Sequence, residues 1–270
     1  DQIMEELYVF GTGNAQAVNC YNTCFALKNQ DEYFMVDAGG GNGILRILED
    51  MKVDLNHIHH IFVTHEHTDH ILGIVWMVRM IAAAMKKGTY QGTLQIYCHQ
   101  GLTDTISTLC RLTLQGKFYK MIGNGIFLVP VEDCETLSIL DYDVTFFDIL
   151  STKAKQFGFT TTLKNGKKFT CAGDEPLNPE CIPYAAGSHW LLHEAFCLYS
   201  DRDIFSPYEK HHSTVKEACQ LAQQLSIPNL VLWHTEDKNL QNRKEKYISE
   251  GREYHSGNLL VPDDEEIIEL

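Results

Sequence analysis

The 270-residue sequence has no CxxC pair, no internal repeat, no low-complexity linker and no unbroken apolar run of bilayer length. Without about 18 consecutive apolar residues, no membrane-spanning helix is expected. The nine cysteines are odd in number and scattered. This argues against a disulfide framework and for free thiols in a reducing cytoplasm. The N-terminal DQIMEELYVF lacks a basic leader followed by an apolar stretch, so no secretory signal is expected. Basic residues are scarce: 22 Lys and Arg stand against 36 Asp and Glu, a net charge of −14. That balance argues against a general nucleic-acid binder, which needs a basic face to displace counterions. It leaves room for a local cationic patch or for bound metal ions.

What is present is enough apolar material, 44% of residues, for one large domain with a full core or at most two small ones. No composition break divides the chain, so residues 1–270 are read as a single domain. Short β-like runs alternate with helical ones. LYVFGTG (7–13), NTCFAL (22–27), YFMVDAGGG (33–41), HIFVT (60–64) and LQIYC (94–98) read as strands. ILRILEDM (44–51), ILGIVWMVRMIAAAMKK (71–87) and LTDTISTLCRL read as helices, the second largely buried. A strand-rich middle follows, in which Asn165-Gly166 marks a hairpin turn. HWLLHEAF and NLVLWHT then read as strands flanking the helix STVKEACQLAQQL, where Thr214 and Glu217 have capping-box spacing. The acidic tail PDDEEIIEL reads as peripheral. The pattern as a whole predicts two mixed sheets packed together with helices outside.

The densest chemistry is IFVTHEHTDHILGI (61–74), with three histidines and two acids in six residues after a β-branched run. In extended chain His65 and His67 point to one side, while Asp69 and His70 enter the next helix. One short loop thus presents two pairs of donors, imidazole and carboxylate, a set that suits zinc and also manganese or iron. His57, His59 and His60 offer no convergent set and read as solvated or packing residues. Taken alone, Asp174 at a Gly-preceded strand end is a turn residue, and His234 ending a buried strand is a core histidine.

THEHTDH resembles the signature of the metallo-β-lactamase superfamily. The resemblance implies an α/β architecture, an αβ/βα four-layer sandwich of two mixed β-sheets with helices on the outer faces. It also implies two divalent metal ions, zinc first among them. VDAGGG (36–41) is similar to the family's Asp-Gly turn, whose Asp37 braces the metal loop. CAGDE (171–175) is similar to the strand end that supplies the bridging Asp174, and LVLWHT (230–235) to the strand whose His234 completes the second metal. The implied metal ligands are His65, His67, Asp69, His70, Asp174 and His234. The family's third histidine falls here on Leu150, which cannot coordinate. The first site is therefore expected to be weakened, with Asp148 or Ser151 as weak substitutes, and the second better occupied.

WLLHEAF (190–196) followed by KHHSTVKEACQLAQQLSIPNLVLWHT (210–235) resembles the tRNase Z (ribonuclease Z) branch and its phosphodiesterase relatives, with His211 where that branch has Gly. The resemblance implies a metal-dependent hydrolase of phosphodiesters, a ribonuclease Z-like nuclease in its fullest form. Asp69 would serve as ligand and proton acceptor, and His212, oriented by Glu194, as proton donor. His212 just ahead of a helix start suits an anionic phosphate and a departing alkoxide. His193, on the opposite face of its strand, reads as structural. The branch's basic, Gly-rich tRNA-grasping arm has no counterpart here, so a small nucleotide phosphodiester is as fitting a substrate as RNA. Lys153, Lys155, Lys164, Lys167 and Lys168 form a run free of acids, read as a solvated hairpin or a phosphate-facing patch. Hydrolysis of a lactone or thioester, or a degenerate metal-binding module, stands as the alternative. A homodimer is implied by resemblance alone.

Overall fold

The computed structural model describes residues 4–270; the first three residues of the segment read for a leader lie outside it. Among the described residues the chain forms two compact units, one built from 4–11, 22–132 and 265–270, the other from 12–21 and 133–264.

The first unit is a seven-stranded mixed sheet. Strands β1 (Glu5–Gly11), β2 (Cys24–Asn29) and β3 (Glu32–Val36) run antiparallel as a meander. β4 (Ile58–Phe62), β5 (Leu94–His99) and β6 (Ile126–Val131) then add in parallel beside β3. Each parallel step needs a crossover, supplied by helices α1 (Gly43–Asp50), α2 (Thr68–Lys87) and α3 (Gln100–Thr113), with the short α4 (Gly116–Tyr119) before β6. The chain after β3 and after β4 therefore leaves the sheet on the same side, at the carboxyl ends of parallel strands, where α/β sheets carry their ligands. Asp37 follows β3 and His65 follows β4. Helix α2 begins at Thr68, three residues before its apolar stretch, so Asp69 and His70 lie in its first turn. It is long and apolar enough to cross a membrane by composition, and half of its apolar window is buried within the protein.

The second unit is built on the same plan. β7 (Thr136–Ile139), β8 (Tyr142–Asp148), β9 (Phe157–Thr162) and β10 (Lys168–Cys171) are antiparallel neighbours. β11 (Trp190–Glu194), β12 (Asn229–Trp233) and β13 (Asn258–Leu260) continue in parallel from β10. The short α5 (Ile182–Ala185) and α6 (Arg202–Phe205), then α7 (Val215–Gln224) and α8 (Leu240–Gly251), fill the crossovers. Asp174, Glu194 and His234 sit at or just past the carboxyl ends of β10, β11 and β12. The Asn165-Gly166 turn joins β9 to β10 as the sequence predicts.

The tail is peripheral, as its sequence reads, but it carries a strand that the sequence pattern does not announce. Ile267–Glu269 forms β14, which pairs antiparallel with β1 as the edge of the first sheet. Asp264, in the second unit, accepts Thr12 Oγ1 at 2.8 Å and the Tyr21 amide at 2.6 Å. Asp264 is thus drawn in because a backbone and a hydroxyl donor satisfy it. All nine cysteines are free thiols, in agreement with the scattered spacing.

Candidate functional site

In the first unit the site grows from Asp37, held in left-handed backbone (φ 59°) at the end of β3. Its Oδ1 accepts the Thr64 amide at 2.8 Å. Its Oδ2 accepts both the Thr64 hydroxyl at 2.8 Å and His70 Nδ1 at 2.7 Å. Because the Thr64 proton is directed to Asp37, Thr64 Oγ1 is left to accept from His65 Nδ1, 2.8 Å away. One carboxylate therefore sets the tautomer of both histidines, with hydrogen on Nδ1 and the lone pair on Nε2. His70 Nε2 then faces Asp69 Oδ2 at 3.1 Å. Two acceptors brought this close in a buried place call for a cation, and the imidazole–carboxylate set suits a divalent metal. The His65 ring lies 4.6 Å from that of His67 and 4.2 Å from that of His70, centroid to centroid.

Close packing holds this arrangement. A Cβ on Gly73 would lie 2.0 Å from the Ala38 carbonyl oxygen. Glycine there lets the first turns of α2 rest on the turn after Asp37, with Gly73 N donating to Gly39 O at 2.9 Å and Ala38 N to His70 O at 3.3 Å.

In the second unit Asp174 is reached through Gly173, whose φ of 86° suits glycine. Gln156 clasps the aspartate from both sides: its Nε2 donates to Asp174 Oδ1 at 2.7 Å and its Oε1 accepts the Asp174 amide at 3.0 Å. A Cβ on Gly173 would meet that Oε1 at 2.4 Å. His234, also left-handed (φ 59°), places Nε2 at 3.5 Å from Asp174 Oδ2. Beside it, 5.5 Å from ring to ring, stands His212. Its Nδ1 is 3.4 Å from Glu194 Oε2, and Glu194 Oε1 accepts the Ser213 amide at 2.7 Å. The His212 ring stacks on Phe196 at 5.2 Å. The buried carboxylate thus faces Nδ1 without closing a hydrogen bond to it, and the opposite nitrogen, Nε2, is turned away from Glu194. Thr214 and Glu217 close their capping box at the start of α7, two residues on.

Each unit thus gathers four of the eight residues singled out from sequence: His65, His67, Asp69 and His70 in one, Asp174, His234, His212 and Glu194 in the other. Leu150 is 42% exposed in left-handed backbone (φ 61°). The two substitutes beside it serve their own loop: Asp148 Oδ1 accepts the Leu150 amide and Ser151 Oγ the Lys153 amide. His193 is structural, accepting the Leu177 amide on Nε2 and donating from Nδ1 to the Glu194 carbonyl. His60 pairs with Tyr97, and His59 with Glu32 and the Gln91 carbonyl, as packing residues do. Of the acid-free lysines, Lys153, Lys164 and Lys168 rest their ammonium groups on backbone carbonyls, which favours the hairpin reading for those three. The relay through Thr64, the Gln156 clasp and the Phe196 platform are missing from the sequence reading. Each depends on segments brought together by the fold, and no local spacing announces them.

The model of the anti-Pycsar protein Apyc1 family matches residues 5–251. Ribonuclease Z of Thermococcus sibiricus is 23% identical, over 99% of this chain and 97% of its own; the alignment runs to 313 positions, so that enzyme carries segments this chain lacks. Among solved structures, the metallo-β-lactamase fold protein YhfI of Bacillus subtilis superposes with a TM-score of 0.79 at 18% identity, covering 99% of this chain and 100% of that one. Human tRNase Z, short form, gives 0.73 at 20% identity, with 97% and 98% covered. These likenesses establish the metallo-β-lactamase fold, the αβ/βα sandwich expected from the THEHTDH signature. Given a family match across most of its length, the chain belongs to the family of the anti-Pycsar protein Apyc1.

Proposed function

We propose that the chain, as one domain over 1–270, is a metal-dependent phosphodiesterase acting on a small nucleotide phosphodiester. His65, His67, Asp69 and His70 would hold a pair of divalent metal ions together with Asp174 and His234, with zinc, manganese or iron as the ion. The observation that carries the reading is the Asp37 relay, which fixes two imidazoles with their Nε2 lone pairs as donors. When bound, such metals activate water and neutralise phosphate charge. Asp69 would serve as ligand and proton acceptor. His212 would donate a proton from Nε2 to the departing oxygen, with the Glu194 carboxylate 3.4 Å from the opposite nitrogen. The first site, lacking a histidine at position 150, is the weaker of the two.

A small substrate is favoured over tRNA. The β8–β9 connection spans only residues 149–156, and the segment after Asp174 folds into two short helical turns, Pro179–Cys181 and Ile182–Ala185, rather than an arm. The net charge of −14 also fits poorly with a large RNA. A homodimer in a reducing cytoplasm, away from membranes, completes the proposal.

Hydrolysis of bis(p-nitrophenyl) phosphate, a 3′,5′-cyclic nucleotide and a precursor tRNA, with zinc or manganese added, tests it. The first two should turn over and the third should not, and His212→Ala should slow the cyclic nucleotide about 100-fold or more. Cleavage of precursor tRNA alone would restore the nuclease reading. Turnover of a lactone or thioester without any phosphodiesterase activity would move the protein to another ester class.

A further inference from the structure

Glu175 follows Asp174 and is buried, its side chain 4% exposed. One oxygen, Oε1, accepts only long bonds from Thr152, 3.4 Å from the amide and 3.2 Å from the hydroxyl. The other, Oε2, is buried without a hydrogen-bond partner. A carboxylate so poorly served is costly to bury, and such groups persist where something uses them. The basic group that faces it is His211, whose Nε2 lies 3.7 Å from Oε1 and whose side chain is half exposed. His211 itself sits in left-handed backbone (φ 55°), a conformation that glycine adopts freely and a β-carbon resists. Where the related branch has Gly, this chain spends conformational strain on an imidazole. A second tie lies beside the first: Lys153 Nζ donates to the Lys210 carbonyl at 2.6 Å.

Three loops meet in these contacts. One carries Leu150, Thr152 and Lys153, the second Asp174 and Glu175, the third Lys210, His211 and His212. The loop that lacks a metal histidine is thereby joined to the loop that carries the proton donor.

We infer that Glu175 and His211 are positioning residues, a latch that fixes His212 relative to Asp174 so that its proton is delivered to the leaving oxygen. The inference rests on His212 being the proton donor, as proposed above. Neither residue touches the reacting atoms. Their effect should appear only where a proton must be donated.

The leaving group supplies the test. p-Nitrophenolate departs as a stable anion and needs no proton, whereas the ribose oxygen of a 3′,5′-cyclic nucleotide does. The ratio of kcat on the cyclic nucleotide to kcat on bis(p-nitrophenyl) phosphate is measured for the intact protein, His211→Gly, Glu175→Gln and His212→Ala. His211→Gly relieves the backbone, so its melting temperature should hold or rise, and a loss of activity is then not a loss of fold. The ratio should fall about tenfold in both latch variants, through kcat rather than KM, and further in His212→Ala. If His212→Ala lowers the ratio while the latch variants leave it unchanged, or slow both substrates alike, the latch is overturned and the proton donor stands. If His212→Ala leaves the ratio unchanged, the proton-donor assignment falls and the latch with it.

Discussion

On the single carboxylate of Asp37 converge an amide, a hydroxyl and an imidazole, and through the hydroxyl a second imidazole. An asparagine there keeps the left-handed backbone, which Asn tolerates, but it offers one acceptor oxygen and adds an N–H₂. It cannot accept on both sides, so at least one histidine tautomer is released. Asp37→Asn should weaken metal binding by roughly 10- to 100-fold, read by competition with a chromogenic chelator; unchanged affinity would show that the relay does not prepare the ligands. His60 provides a separate residue-scale check. Burial lowers its pKa from 6.5 to about 4. The unfolded chain then binds the proton more readily, so stability is fully present above pH 6.5 and declines as pH falls toward 4. His60→Asn should flatten that part of the melting-temperature profile. The proposed metal ligands were legible because four of them lie in one six-residue motif. Gln156, Thr64 and Glu175 were not, since their roles arise from contacts across 18, 27 and 36 positions.

Elements with strong patterns were read well: α2 and α7 each bury one continuous face, and β1, β3, β11 and β12 are buried along almost their whole length. Those missed bury little. Helix α8 is polar, with only Arg243, Tyr247 and Gly251 buried, and β13 and β14 are three residues long. Such segments take their form from their neighbours rather than from their own pattern. The start of α2 is where element packing reaches the site. Gly73→Ala forces a methyl group against the Ala38 carbonyl, an overpacking of about 1–3 kcal/mol, and pushes His70 away from Asp37. Chemical denaturation should report that loss together with weaker metal binding. Gly41→Ala, where a Cβ meets nothing within 4 Å, is the control expected to change neither. Equal behaviour of the two variants would mean that the α2 contact does not set the site.

For the molecule as a whole, the two-sheet plan was readable from the alternation of strands and helices, whereas the pairing of β14 with β1 was hidden by the acidity of the tail. The free thiols make a whole-molecule prediction. Burial raises Cys98, Cys110, Cys197 and Cys219 to about 12 and Cys181 to about 11, and Cys134 alone is exposed. A thiol reagent at neutral pH should label Cys134 rapidly, Cys20 more slowly, and the other seven only on unfolding. Rapid labelling of more than two would contradict the packing.

The claim on which the functional reading rests is that the histidines and aspartates of the motif bind metal. An anomalous-difference map, recorded at the edge of the metal retained by protein purified without chelator, tests it most directly. Two peaks are expected, one on Asp69 and His70 with Asp174 and His234, and a weaker one on His65 and His67 that shares Asp174. A map with no peak on these side chains, after growth and purification with zinc and manganese present, would contradict it.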